Sequence, residues 1–176
     1  MSFKENIKNS FGILFFKEKP LIEISNSKKA TAYGFLTIII AGIAIGISQL
    51  NLTGLLYMPI YLIIGLFVGY SIFHMIAKLI LGGKATGTQY FRSLSNAFII
   101  YWFTFIPFIG MFLQFIAGLW FMALNIFILH KVHKLSKVKA IILGLLPLII
   151  SVILMILAIG YFSVLNPSAM MPSRVP

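Results

Sequence analysis

The stretch YFRSLSNAFIIYWFTFIPFIGMFLQFIAGLWFMALNIFILHK, residues 90–131, decides the fold. Between Arg92 and Lys131 it runs for 38 residues without a charge. As a single α-helix those residues would reach about 57 Å at a rise of 1.5 Å each. A hydrocarbon core is only about 30 Å thick, so the stretch has to fold back on itself. The break falls in FIPFIG, where Pro107 lacks a backbone donor and Gly110 permits a turn. Two crossings follow, over residues 90–109 and 111–130.

The rest of the chain has the same character. Of 176 residues 60% are hydrophobic and only 10% are charged, whereas a soluble domain carries about 25% charged residues. A chain of this size cannot hide that much apolar surface in a soluble core. Apolar runs long enough to cross a bilayer lie at 30–50, 55–81 and 138–162, which brings the expectation to five spans. Lys and Arg concentrate in cytoplasmic loops. With five crossings, 13 of the 14 basic residues fall on one side, and only Arg174 falls on the other. The N-terminus is therefore expected in the cytoplasm and the C-terminus outside, in a prokaryotic plasma membrane. The net charge of +11 then faces anionic lipid headgroups rather than nucleic acid. Lys84, Arg92, Lys131, Lys134, Lys137 and Lys139 are the expected headgroup-facing set.

Ahead of the first span, Phe3, Ile7, Phe11 and Leu14 recur at spacings of four, four and three, one face of a helix. Lys4, Lys8 and Lys17 lie off that face, and Pro20 ends the pattern. Such a helix is too polar to span. It suits the membrane interface or the cytoplasmic ends of the spans, and either place would bury the apolar stripe. The expected organisation is an interfacial amphipathic segment over 1–29, a five-span membrane domain over 30–165, and a flexible outer tail over 166–176 with three prolines and no periodicity.

Little in the chain supports catalysis. LILGGKATGTQ (79–89) resembles a phosphate loop, but a P-loop needs a glycine where Lys78 stands and a hydroxyl residue where Ala85 stands. It reads instead as a helix stop and a basic turn. With no cysteine, thiol and disulfide chemistry are excluded. The only acids, Glu5, Glu18 and Glu23, precede every span, so no carboxylate is placed for an intramembrane proton or cation path. His74, His130 and His133 sit near the same membrane face, but four neighbouring lysines would repel a metal ion. Ser71 and His74 share a helix face without a third catalytic group. The chain is expected not to be an enzyme and to need no cofactor.

Polar and small residues within the spans mark helix contacts. Gln114, Gly118 and Asn125 share a face of the fourth span, where amides in lipid turn toward other helices. Gly42 with Gly46, and Gly65 with Gly69, form two GxxxG patterns that permit close backbone approach. Packing inside the chain is the favoured use of both, and pairing with a second copy is the alternative. Tyr101, Trp102, Phe103, Phe105 and Phe108 form an aromatic belt near the outer membrane face.

In order and spacing, these pieces resemble the Yip (Ypt-interacting protein) domain family in its prokaryotic branch. The resembling features are GGKATGTQYFRSL after the second span, FIPFIG between the third and fourth, Trp120 in the fourth, HKLS (133–136) before the fifth, and LLPLI within the fifth. FGILFFKEKPLIEI resembles the short helix, proline and aliphatic pair ahead of the family's first span. The resemblance implies an all-α membrane protein with five spans and a cytoplasmic N-terminus. It also implies a non-enzymatic role in organising membrane or recruiting partners, with lipid, a protein partner or another copy of the chain as the counterpart. Eukaryotic members carry an Asp-Leu-Tyr-Gly-Pro motif, of which LLYMP (55–59) is at most an echo without the acid, so their GTPase-adaptor role does not carry over. The alternative is a small transporter or channel for an uncharged or weakly polar solute, working as an oligomer through Gln114 and Asn125.

Overall fold

The computed structural model describes residues 1–165, and every regular element among them is helical. In chain order they are α1 (Phe3–Leu14), α2 (Glu18–Asn26), α3 (Ala30–Ser48), α4 (Gly54–Met75, continued by a π turn to Ile80), α5 (Gly87–Ala97), a 3-10 helix (Phe98–Phe105), α6 (Gly110–Lys131) and α7 (Lys137–Leu165). The chain divides into two compact units, Met1–Gly144 and Leu145–Pro176. In the second unit the described residues continue α7, with Pro147 inside the helix. The tail expected from residue 166 onward lies outside the described residues.

Four helices are long and apolar enough to cross a membrane: Ala30–Ser48, Gly54–Ile80, Gly110–Lys131 and Lys137–Ile159. The segment expected as a third span is built differently. Residues 90–109 do not form one continuous helix but α5 followed by eight residues of 3-10 helix. The 3-10 sequence FIIYWFTF is rich in aromatic and β-branched residues, which lose side-chain freedom in an α-helix. At about 2.0 Å per residue it reaches roughly 16 Å, against roughly 12 Å for the same residues as α-helix. It packs along α3, and Trp102 Nε1 donates to the Thr37 carbonyl at 3.0 Å. Phe108 takes a positive φ of 62° at the turn into α6.

α5 is polar in composition yet almost wholly buried, from Tyr90 and Phe91 through Ser93, Leu94, Ser95, Asn96 and Ala97. Its start is fixed by a reciprocal cap. Gln89 N donates to Thr86 Oγ1 at 3.3 Å, and Thr86 N donates to Gln89 Oε1 at 2.9 Å. Upstream, Gly82 takes the left-handed φ of 76° that closes the preceding helix. GGKATGTQ is thus a helix stop followed directly by a helix start.

α1 also starts on a reciprocal cap, between Ser2 and Glu5. Its inward face is not the apolar stripe expected from spacing. Asn6, Asn9, Ser10, Ile13 and Leu14 are buried, while Phe3 and Phe15 are 43% and 71% exposed. Leu14 alone of the expected four is fully covered. α2 packs on α1 through Asn9 Nδ2, which donates to Glu23 Oε2 at 2.8 Å. It reaches α5 through Gln89 Nε2, which donates to Asn26 Oδ1 at 3.0 Å.

Candidate functional site

The lysine-rich end of the first unit holds two connected polar centres. The first is built on Asn96. Its Nδ2 donates to the carbonyls of Ala30 at 3.0 Å and Arg92 at 2.8 Å. Its Oδ1 accepts from Asn6 Nδ2 at 2.7 Å and from Ser10 Oγ at 3.4 Å. One buried amide thus ties α1, α3 and α5 together. Arg92, one residue-turn before it, donates from Nε to Thr31 Oγ1 at 2.9 Å and from a terminal nitrogen to the Ser25 carbonyl at 3.2 Å. The guanidinium fastens α2 and α3 to α5 instead of pointing at headgroups.

The second centre is aromatic. Tyr90 Oη donates to Asn125 Oδ1 at 2.6 Å, both residues being buried. The His133 ring packs edge-on to Tyr90 at a centroid separation of 4.9 Å, and His74 stacks on Tyr70 at 6.0 Å. His74 Nδ1 and His133 Nε2 lie 3.4 Å apart. The turn after α4 closes over them, since Lys84 N donates to the His133 carbonyl at 2.8 Å. A Cβ at Gly83 would lie 2.6 Å from His133 Nδ1, so only glycine fits under the ring. His130 is not part of this group, because its Nδ1 bonds the Leu135 carbonyl at 2.7 Å. Among the described residues no set of three or more His, Asp or Glu side chains converges in a way that could hold a metal ion. A cavity of about 160 Å³ opens beside the cluster, lined by Gly65, Gly69, Tyr70, Phe98, Phe121 and Asn125 among others.

The remaining expected positions separate. Gln114 Nε2 donates to Ser48 Oγ at 2.6 Å at the far end of α3, whereas Asn125 serves Tyr90. The two amides share a helix face, but eleven residues place them about 16 Å apart, in different contacts. Gly118 lies between them, where a Cβ would meet only Tyr101 Oη at 3.7 Å. Gly42 and Gly46 press against the backbone of Pro59 and Gly54, while Gly65 and Gly69 have nothing within 4 Å. The difference lies in what stands opposite. A proline and a glycine backbone can approach Gly42 and Gly46, and only the open cavity faces the second pair. Lys131 pairs with Glu18 at 2.5 Å, and Lys139 Nζ donates to the Leu81 carbonyl at 3.1 Å. Lys84, Lys134 and Lys137 are exposed.

Burial, with His74 and Lys78 adding like charge, pushes the His133 imidazole down to about 4 from an ordinary 6.5. Between those values the unfolded chain binds a proton that the folded chain refuses. The stabilisation is therefore fully present above about pH 6.5 and lost as pH falls toward 4. The purified protein is expected to melt at lower temperature at pH 4.5 than at pH 7, and His133→Gln is expected to flatten that dependence. An unchanged pH profile in the variant would remove His133 as its source.

Four membrane-length apolar helices, with polar groups gathered inside and at one end, define the architecture of a multi-pass membrane protein. Comparison with protein-family models, with curated proteins and with solved structures gives no match to this chain.

Proposed function

We propose that the chain is a non-enzymatic, five-span membrane protein of the Yip-like family, with its lysine-rich end in the cytoplasm, and that it organises the membrane there. The observation that carries this reading is the polar centre on α5, where Asn96 docks α1 and Arg92 docks α2 at one end of the first unit. On this reading α1 and α2 add cross-section at one leaflet, while the chain continues from α5 toward the other leaflet as a thin 3-10 helix. Added cross-section in one leaflet favours curved bilayer. α1 suits the interface because its outward side carries the exposed Phe3 with Lys4 and Lys8, and the exposed Phe15 follows its last turn.

A fifth crossing is supported by length. α5 and the 3-10 helix together extend about 32 Å, comparable to a hydrocarbon core. The alternation of basic connections and the family resemblance support the same topology. A reporter active only in the cytoplasm is expected to be silent when fused at Ser168 and active at Gly87. The function itself is tested by reconstitution into acidic vesicles of two sizes. The protein is expected to partition toward the smaller vesicles, and Phe3→Ser with Phe15→Ser is expected to abolish the preference. Equal partitioning would overturn the proposal. So would a solute flux that disappears with Gln114→Leu and Asn125→Leu, which would favour a transporter.

A further inference from the structure

We propose that a pocket between α6 and the start of α7 binds one anionic phospholipid, with its phosphate on Lys137 and an acyl chain over Ile126, Phe127 and Ile141. The inference rests on the membrane-embedded reading above and goes beyond it by naming a discrete site. The pocket measures about 280 Å³, and its walls include Phe16, Ile126, Phe127 and Ile141, with His130 and Lys137 as its charged or polar members. A floor of apolar side chains with a lysine and a histidine among the lining groups matches a lipid, which joins a negative phosphate to an alkyl chain. The larger cavity of about 470 Å³ near α1 lacks this pairing. Its lining, from Phe11 and Leu14 to Leu113 and Trp120, contains no charged residue.

Three cations near this end are already engaged. Lys131 is paired with Glu18, Lys139 Nζ donates to the Leu81 carbonyl, and Arg92 binds Thr31 and Ser25. Lys137 is exposed and lines the pocket. His130 is set in one tautomer. The Leu135 carbonyl can only accept, so Nδ1 donates to it. Nε2 is then left to accept from a headgroup hydroxyl.

Phe16 forms one wall of the pocket. Its φ of 55° closes the end of α1, where Lys17 N donates to the Gly12 carbonyl at 3.1 Å and Phe16 N to the Ile13 carbonyl at 2.8 Å. That turn sets its ring 5.5 Å from the rings of both Trp120 and Phe127.

The test counts bound molecules by native mass spectrometry of the full chain in neutral detergent. The probes are phosphatidylglycerol, phosphatidylcholine with the same chains, and free glycerol 3-phosphate. One phosphatidylglycerol per chain is expected to be retained, while the other two probes are not. Lys137→Gln is expected to lower retention about fivefold. Lys134→Gln, the same charge loss at an exposed position outside the pocket, is expected to leave it unchanged. Ile141→Trp fills the floor and is expected to abolish retention with every cation in place. Helicity and size exclusion confirm that each variant folds, and flotation with vesicles tests membrane insertion separately. Equal loss in the two lysine variants, equal retention of phosphatidylcholine, or competition by glycerol 3-phosphate alone would overturn the site. Failure of the parent protein to float would instead overturn the membrane reading beneath it.

Discussion

Gly42→Leu is expected to abolish assembly of the helical unit, whereas Gly65→Leu on the facing helix is expected to be tolerated. A Cβ at position 42 would lie 2.5 Å from both the N and the Cα of Pro59, and one at Gly46 would lie 2.8 Å from the backbone of Gly54 and Leu55. Carbon atoms rest at about 3.5–4.0 Å, so α3 and α4 would have to part by about 1 Å for the first carbon of the new side chain alone. The obstacle is proline backbone, which has no rotamer to yield. Overpacking of a close contact typically costs about 1–3 kcal/mol and sometimes more. With leucine's further carbons aimed at the same backbone, a loss of at least about 3 kcal/mol is expected. Gly65 has nothing within 4 Å, so the identical substitution there adds side chain to open space. The two variants are compared by monodisperse yield and by the denaturant needed to unfold them. Equal damage from both would place a close contact at Gly65 and remove the α3–α4 seam as the special one.

The same pair of motifs marks where sequence stops being informative. GxxxG is visible at both positions, but which one closes depends on the residues opposite, and nothing local to Gly65 records that it faces a cavity. Long apolar runs were legible for the same reason that lipid selects them. Expected crossings at 30–50, 55–81, 111–130 and 138–162 correspond to helices Ala30–Ser48, Gly54–Ile80, Gly110–Lys131 and Lys137–Leu165. Residues 90–109 were harder. Hydropathy registers composition but not rise per residue, so the 3-10 stretch looked like ordinary helix. The buried α5 carries Arg92, Ser93, Ser95 and Asn96, which by composition belong at a surface.

α1 shows a different limit. Its apolar stripe suits the membrane interface or the cytoplasmic ends of the spans, and spacing alone does not choose between them. Here the inward side carries Asn6, Asn9 and Ser10, the last two lying three and four residues after the first, beside the apolar stripe rather than opposite it. In a membrane setting that polar stripe was itself a signal for an internal partner. His74 and His133 could not be paired in advance, because 59 residues separate them and each alone resembles an end-of-helix histidine.

Asn96→Leu is expected to release α1 from the bundle without disturbing the long helices, while α2 keeps its own bonds to Arg92 and Gln89. Leucine fills similar volume but accepts nothing from Asn6 Nδ2, whose own Oδ1 already lacks a partner in the buried centre. The whole Asn6 amide would then be stranded out of water, while the Ser10 hydroxyl keeps its bond to the Asn6 carbonyl at 2.9 Å. Leaving a buried polar group unpaired costs about 1–3 kcal/mol. That is enough to matter for a twelve-residue helix whose outward Phe3 and Phe15 gain little from the protein. The expected readout is protease cleavage within residues 1–29, while α3 and α4 remain protected. The double variant Asn6→Leu with Asn96→Leu distinguishes this account from simple damage to packing. Replacing both partners by apolar groups of similar shape removes the stranded amide, and such replacements are often nearly neutral. Protection is therefore expected to return toward that of the parent protein, giving a coupling of about 1–2 kcal/mol between the two positions. If the double variant is as exposed as the sum of the single ones, the amides act independently, and α1 is held by Ile13 and Leu14 rather than by the polar centre.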